Sequence, residues 1–308
     1  MKHRQEHDVM SSLMQWAESK VNIRAMLLTS SRTDSPTTVD RFSDYDVILV
    51  VTSIKPFLEN EDWLEDFGKV LVMYRDPIRI EHGLETFIRV TQYENGTKID
   101  YSIWPVDLLR RIIEEPKLPA GLDIGYSVLI DKDNLTEQLK PPTYTAYIPA
   151  IPTEKEYQTL VEEFFNITAY VAKHICRDDL MPLKYCLDYV AKQDKLLGML
   201  EWGVELDHNW SISPGACGKG LKKYLKPEIW SELESTYVGA GKQENWEALF
   251  KTITIFRKVA IEVADHLGYS YPYSLDQRVV KYLDKIKGSD TITDEAEKRT
   301  LITDYPST

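Results

Sequence analysis

Three aspartates define the chemistry this chain is equipped for. Asp44 and Asp46 stand two residues apart at the entrance to the apolar, β-branched run Val47-Ile48-Leu49-Val50-Val51, and Asp100 lies within Lys98-Ile99-Asp100-Tyr101-Ser102. Side chains alternate faces along a strand, so Asp44 and Asp46 are expected to point the same way. Two carboxylates that close repel each other; a shared divalent cation removes the repulsion and supplies a Lewis acid. Hard Mg2+ suits such a site, because it takes few carboxylates and fills its shell with water and phosphate oxygens. Asp100, on a strand expected beside the first, would be a third ligand for one or two metals, which in two-metal sites stand about 3.5–4 Å apart. Asp44, Asp46 and Asp100 are therefore the candidate metal ligands and the candidate catalytic residues. An Asp-x-Asp pair alone is common, and Asp at a strand start is often only a turn residue.

The elements around the pair add meaning to it. An apolar run over residues 23–28 reads as a buried strand, and Ser30-Ser31-Arg32 follows it directly. A polar, turn-rich stretch then leads to Asp44. A small-residue turn at a strand end can offer backbone N–H groups and a hydroxyl to a triphosphate, with Arg32 adding charge. Ser30, Ser31 and Arg32 are thus candidate nucleotide-binding residues. Val9, Leu13, Trp16 and Ala17 recur at helical spacing and predict an opening helix. A short helix is expected over residues 61–67 and a strand over 69–74. A hairpin is expected from strands 86–93 and 97–104 around the turn signal Glu94-Asn95-Gly96.

Beyond Pro141-Pro142 and Ile148-Pro149-Ala150-Ile151-Pro152 the pattern becomes helical. Tyr157, Leu160, Val161, Phe164, Thr168, Val171 and Ile175 form one stripe, and Leu183, Leu187, Val190, Leu197 and Leu200 suggest a second helix. Trp246, Leu249, Phe250, Ile253, Phe256, Ala260, Val263 and Leu267 form a third, stopped by Gly268. A last helix is expected from Ser274 to Gly288, with a polar, frayed end after it. The expected class is α+β: a mixed-sheet catalytic domain over residues 1–150, a helical bundle domain over 151–290 and a polar tail over 291–308.

Bulk properties narrow the function. A net charge of −12 lacks the basic stripe that nucleic-acid binding needs and is compatible with a cationic small substrate. No apolar run approaches the ~20 residues of a membrane span, and the polar Met1-Lys2-His3-Arg4-Gln5-Glu6 start lacks a signal-peptide core. Cys176, Cys186 and Cys217 are too few and too scattered for a disulfide framework or a zinc pair. Free thiols fit a reducing compartment, so a cytoplasmic location is expected.

The chain resembles the aminoglycoside 6-adenylyltransferases, streptomycin-modifying members of the polymerase-β-like nucleotidyltransferase superfamily. The resemblance rests on Leu28-Thr29-Ser30-Ser31-Arg32, Phe42-Ser43-Asp44-Tyr45-Asp46-Val47, Lys98-Ile99-Asp100 and Asp131-Lys132-Asp133. Further on, Glu163-Phe164-Phe165-Asn166-Ile167 and Asn245-Trp246-Glu247-Ala248-Leu249-Phe250 continue it in order. It implies transfer of AMP from Mg-ATP to an aminoglycoside hydroxyl, with release of pyrophosphate, and hence antibiotic resistance. Asp44 and Asp46 match the metal-binding pair, and Asp100 the third carboxylate, which could also help to deprotonate the attacking hydroxyl. Ser31 and Arg32 match the family's Gly-Ser-Arg turn, whose glycine is Ser30 here. Lys184 stands at a position similar to a nucleotide-contacting lysine of related transferases, and Lys219, in Gly218-Lys219-Gly220, is a second pyrophosphate candidate. For both, a solvated surface role is the alternative. Other acceptors (a lincosamide, another small polyol, a protein hydroxyl) would use the same carboxylates, and a nucleotide-binding homologue with weakened catalysis is the remaining reading.

Overall fold

A computed structural model describes residues 2–33, 39–40 and 42–303, with side chains over 9–30, 32–33, 39–40 and 42–290. The chain divides into two compact units, Met1–Tyr147 and Ile148–Thr308.

The first unit is built on a seven-stranded sheet: β1 (Ile23–Thr29), β2 (Tyr45–Val51), β3 (Val70–Arg75), β4 (Arg79–Glu81), β5 (Leu84–Tyr93), β6 (Lys98–Pro105) and β7 (Tyr126–Asp131). The order is β3-β5-β6-β2-β1-β7, with β4 pairing β5. Among the described residues β2 and β6 run parallel and the other pairs are antiparallel. The central strands β1 and β2 read as unbroken apolar runs because both of their faces are covered. Met26, Leu28, Val47, Leu49 and Val51 pack with Leu13 and Trp16 of the opening helix Lys2–Ser19. Ala25, Leu27, Ile48 and Val50 pack on the other side with Leu108, Leu109 and Ile112 of helix Val106–Glu114. That helix and β7 were not anticipated from the sequence. β7 lies at a sheet edge and its residues are mostly half-buried, so it lacks the apolar run that marks β1 and β2.

The expected hairpin forms from β5 and β6, with Gly96 at a φ of 85° in the turn. The expected short helix is a 3-10 helix, Asp62–Phe67.

The second unit is helical. Helix Glu154–Cys176 opens with a capping box in which Thr153 and Glu156 satisfy each other's backbone N–H groups. Its Phe164 ring stacks on Phe256 of helix Lys242–Leu267 at 3.7 Å. Gly268 ends that helix in the left-handed conformation at φ 74°. The expected second helix is a continuous rod of three pieces, Leu180–Lys184, Tyr185–Leu196 and Leu197–Leu206, of which the middle one is π-helical. The buried Leu183, Leu187, Ala191, Leu196 and Leu200 are spaced for those wider turns. The last helix, Tyr273–Thr303, continues past Gly288, where the sequence reading ended it. A glycine inside a helix costs only about 1 kcal/mol, which the helix tolerates here.

Candidate active site

Strand register assembles the site. β1 and β2 pair so that Thr29 faces Asp46, and β2 and β6 pair so that Asp46 faces Asp100. Asp44 and Lys98 come one step before the registered pair Tyr45↔Ile99, at the entry ends of the same two strands. The structure thus brings Asp44, Asp46 and Asp100 together where β1 ends and β2 and β6 begin.

Ser30 starts the short 3-10 turn Ser30–Arg32 that leaves β1, and its φ is 67°. Glycine adopts this left-handed region freely, whereas an L side chain there costs roughly 1–2 kcal/mol. The conformation therefore explains a glycine at this position in the turn. Here the Ser30 side chain favours the charged form of the Asp46 carboxylate. The Ser31 hydroxyl lies outside the described side chains. Arg32 donates from Nε to the Asp44 carbonyl at 2.9 Å and from Nη2 to the Ser43 carbonyl at 2.7 Å. Its guanidinium lies 3.8 Å from the centre of the Tyr45 ring. Arg32 thereby holds the entry into β2 that aims Asp44.

Lys98 completes the cluster. Its Nζ donates to Asp44 Oδ2 at 2.7 Å and to Asp100 Oδ2 at 3.0 Å. Burial disfavours charge on Asp46, and the neighbouring Asp100 adds repulsion; the Ser30 side chain and Lys98 oppose them, yet the carboxyl stays above its ordinary range. Burial likewise lifts Asp100 against the pull of Lys98. Burial also works against the Lys98 ammonium, but its bonds to Asp44 and Asp100 prevail and raise it.

Asp100 Oδ1 is buried and has no hydrogen-bond partner. A buried acceptor left in this state is costly, and a cation beside it would remove the cost. Three carboxylate groups with an orphaned oxygen suit a hard divalent ion. Among the described residues, however, no three acidic, histidine or cysteine groups already surround an ion position. The bridging place between Asp44 and Asp100 belongs to the Lys98 ammonium.

Lys98 joins the cluster although it is not among the residues the sequence marks for the site. The available signal was its spacing: a residue two before Asp100 on one strand shares its face.

The remaining candidates lie in the second unit. Lys184 Nζ is fully engaged, donating to the Val238 carbonyl at 2.9 Å and Asn245 Oδ1 at 3.2 Å and pairing with Asp188 at 2.8 Å. Lys219 is exposed just after the 3-10 turn Ala216–Gly218.

With this geometry, the profile of the streptomycin adenylyltransferase family matches residues 3–286. The chain belongs to that family. It is therefore a nucleotidyltransferase. An aminoglycoside 6-adenylyltransferase of Bacillus subtilis (strain 168) is 31% identical over 289 residues, covering 92% of this chain and 98% of that protein. One from Campylobacter jejuni is 29% identical over 295 residues, covering 95% and 99%. A crystal structure of an aminoglycoside 6-adenyltransferase from Bacillus subtilis is 28% identical, with a TM-score of 0.45, covering 92% of this chain and 98% of that one.

One stretch behind the resemblance to the streptomycin adenylyltransferase family is a structural joint. Asp131 accepts from the backbone N–H groups of Leu135 and Thr136, each at 2.8 Å. Lys132 Nζ caps the opening helix, donating to the carbonyls of Ala17 and Lys20 at 2.9 Å. Asp133 pairs with Arg24 of β1.

Proposed function

We propose that the protein transfers AMP from Mg-ATP to a hydroxyl of an aminoglycoside, releases pyrophosphate and so confers resistance, with streptomycin as the first candidate acceptor. The observation that carries the reading is the parallel register of β2 and β6, which sets Asp46 beside Asp100 with Asp44 on the same site. Family membership and relatives named for aminoglycosides support the acceptor class. The acidic balance of −12 suits a polycationic acceptor.

In this reading Asp44, Asp46 and Asp100 hold one or two Mg2+ ions, which when bound neutralise charge developing on the α-phosphate and the departing pyrophosphate. Asp100 also helps to deprotonate the attacking hydroxyl. Ser30 and Ser31 offer the turn's backbone to the triphosphate. Arg32 contributes its charge and fixes Asp44 through the carbonyls it binds. Lys184 and Lys219 are the proposed pyrophosphate contacts. Residues 1–150 act as the catalytic domain and 151–290 as the helical domain that completes nucleotide and acceptor binding.

No helix among the described residues is long and apolar enough to cross a membrane. The three cysteines are free. In this reading the enzyme is cytoplasmic, its substrates are small molecules, and the net charge of −12 disfavours a nucleic-acid partner.

The test is pyrophosphate release with Mg-ATP and a panel of aminoglycosides. Release with streptomycin is the expected result. Release only with a lincosamide, another polyol or a protein would reassign the acceptor. ATP binding with no turnover on any acceptor would overturn the reading in favour of a weakened homologue.

A further inference from the structure

We propose that Lys98 is a resident counter-cation of the metal site: its ammonium bridges Asp44 and Asp100 in the metal-free protein, and a divalent ion binds only as that ammonium leaves. The inference rests on the reading that Asp44, Asp46 and Asp100 are the metal ligands.

Three observations carry it. The first is placement. Lys98 shares a strand face with Asp100 and starts β6 beside the entry to β2, so the sheet itself delivers its Nζ between the two carboxylates, 2.7 Å and 3.0 Å from one oxygen of each. The second is charge. One ammonium bonds two of the three carboxylates, and Asp100 Oδ1 still has no partner. Lys98 therefore makes the metal-free cluster tolerable without satisfying it. A divalent ion held by these carboxylates would stand close to an ammonium that bridges two of them, with like charge. The third is freedom to move. The Lys98 side chain is 27% exposed and Asp44 is 39% exposed, so the ammonium has a route to solvent. It swings on a flexible four-carbon stem. Once displaced it remains tethered at the site, where it can face the oxygens of an incoming triphosphate.

The device would serve two ends. It holds Asp44 and Asp100 in position before the ion arrives, and it makes metal entry release a cation to the nucleotide.

The test is a Mn2+ titration of the full chain without nucleotide, following free Mn2+ by electron paramagnetic resonance. Lys98→Met is expected to bind Mn2+ at least about tenfold more tightly than the parent, equivalent to about 1.4 kcal/mol. Lys98→Arg keeps the charge and is expected to stay within about threefold of the parent. Lys69→Met, which removes an exposed lysine paired with Glu94, controls for general electrostatics and should also stay within about threefold. Without metal, Lys98→Met should melt lower than the parent and gain more on saturation with Mn2+. A folded Lys98→Met with unchanged or weaker Mn2+ affinity overturns the proposal. So does a parent protein whose lysine-ε-carbon-labelled NMR spectrum shows the Lys98 signal unmoved by saturating Mg2+, a readout that needs no variant. Asp46→Asn separates the two readings. If it abolishes Mn2+ binding while Lys98→Met changes nothing, only the counter-cation fails; if it leaves Mn2+ binding intact, the metal-site assignment fails as well.

Discussion

Two lysine–aspartate clusters, one in each unit, solve the same electrostatic problem in opposite ways. In the helical unit Asp188 is shared by two lysines, Lys184 at 2.8 Å and Lys192 at 2.7 Å. The spare donors of these lysines go to the carbonyls of Val238 and Thr236 and to the Asn245 amide. The Lys192 side chain is fully buried, and burial works against its charge, with Asp188 compensating in part. This cluster is complete and staples the π-helical segment Tyr185–Leu196 to the chain around Thr236. In the sheet unit the balance is reversed: three carboxylates, one ammonium and an orphaned oxygen. Completed clusters hold a fold together, whereas an incomplete one is held ready for something the chain does not contain. The contrast also bears on Lys184, whose donors would have to leave Val238 and Asn245 to reach a phosphate.

The contrast can be broken in several places, and the largest effect is expected at the incomplete cluster. Asp100→Asn should lower AMP transfer by about 10²–10⁴-fold, the range that general acid–base catalysis supplies. Its melting temperature should stay near that of the parent, because Lys98 keeps its bond to Asp44 and the loss of one buried carboxylate relieves repulsion that offsets the weakened bond to Lys98. A large drop in stability with activity retained would put Asp100 in the structural class.

The complete cluster should respond in the opposite sense. Lys192→Met removes a buried partner from Asp188 and leaves the Thr236 carbonyl without its donor. The expected cost is about 3 kcal/mol by denaturant titration, the low end for breaking a buried pair, since Lys184 still pairs with Asp188. An unchanged midpoint would show that the staple contributes nothing.

Asp123 gives a smaller, pH-dependent effect. Burial would raise its carboxyl, but hydrogen bonds from Thr143, Thr145 and Ala146 outweigh burial and hold it below the usual carboxylate range. A carboxyl depressed on folding adds stability that is fully present above its unfolded value, near pH ~3.9, and is lost as pH falls through the folded value. Asp123→Ala should therefore cost about 1–3 kcal/mol at neutral pH, for the unmet Thr143 and Thr145 donors. The difference from the parent should shrink as the pH is taken below ~4. A gap between the two melting curves that widens with acid would contradict the assignment.

The smallest effect is expected at the turn. Ser30→Gly relieves a left-handed backbone but loses the hydroxyl that favours the charged form of Asp46. A net gain of up to about 1 kcal/mol in unfolding free energy is expected, and a loss would show that the hydroxyl outweighs the strain.

Much of this was legible in the sequence, for identifiable reasons. β1 and β2 announce themselves as short apolar runs because both sheet faces bury them, and the β5–β6 hairpin is marked by Asn95-Gly96. Lys98 and Asp100, two apart on β6, share a face for the same reason as Asp44 and Asp46, so Lys98 was legible too. What the sequence could not display is register. That Asp46 faces Asp100 depends on a parallel pairing between strands separated by more than 40 residues, and nothing local encodes it. The π-helical turn was hidden in a stripe that already looked helical, since Leu183 and Leu187 fit either period. Edge strand β7 and helix Val106–Glu114 lacked a run long enough to stand out. The last helix outran its expected stop because Gly288 is only a weak breaker when no proline follows it.

In the proposed reaction the carboxylates at the starts of β2 and β6 promote transfer of AMP, with the α-phosphorus of ATP, to a drug hydroxyl. Incubation with Mg2+ and ATP labelled at either the α- or the γ-phosphate, with streptomycin as acceptor, tests it directly. The α-label should appear on the drug with the parent protein, stay off it with Asp46→Asn, and leave the γ-label in pyrophosphate. A drug carrying the γ-label, or one that Asp46→Asn labels at the parent's rate, would contradict the account.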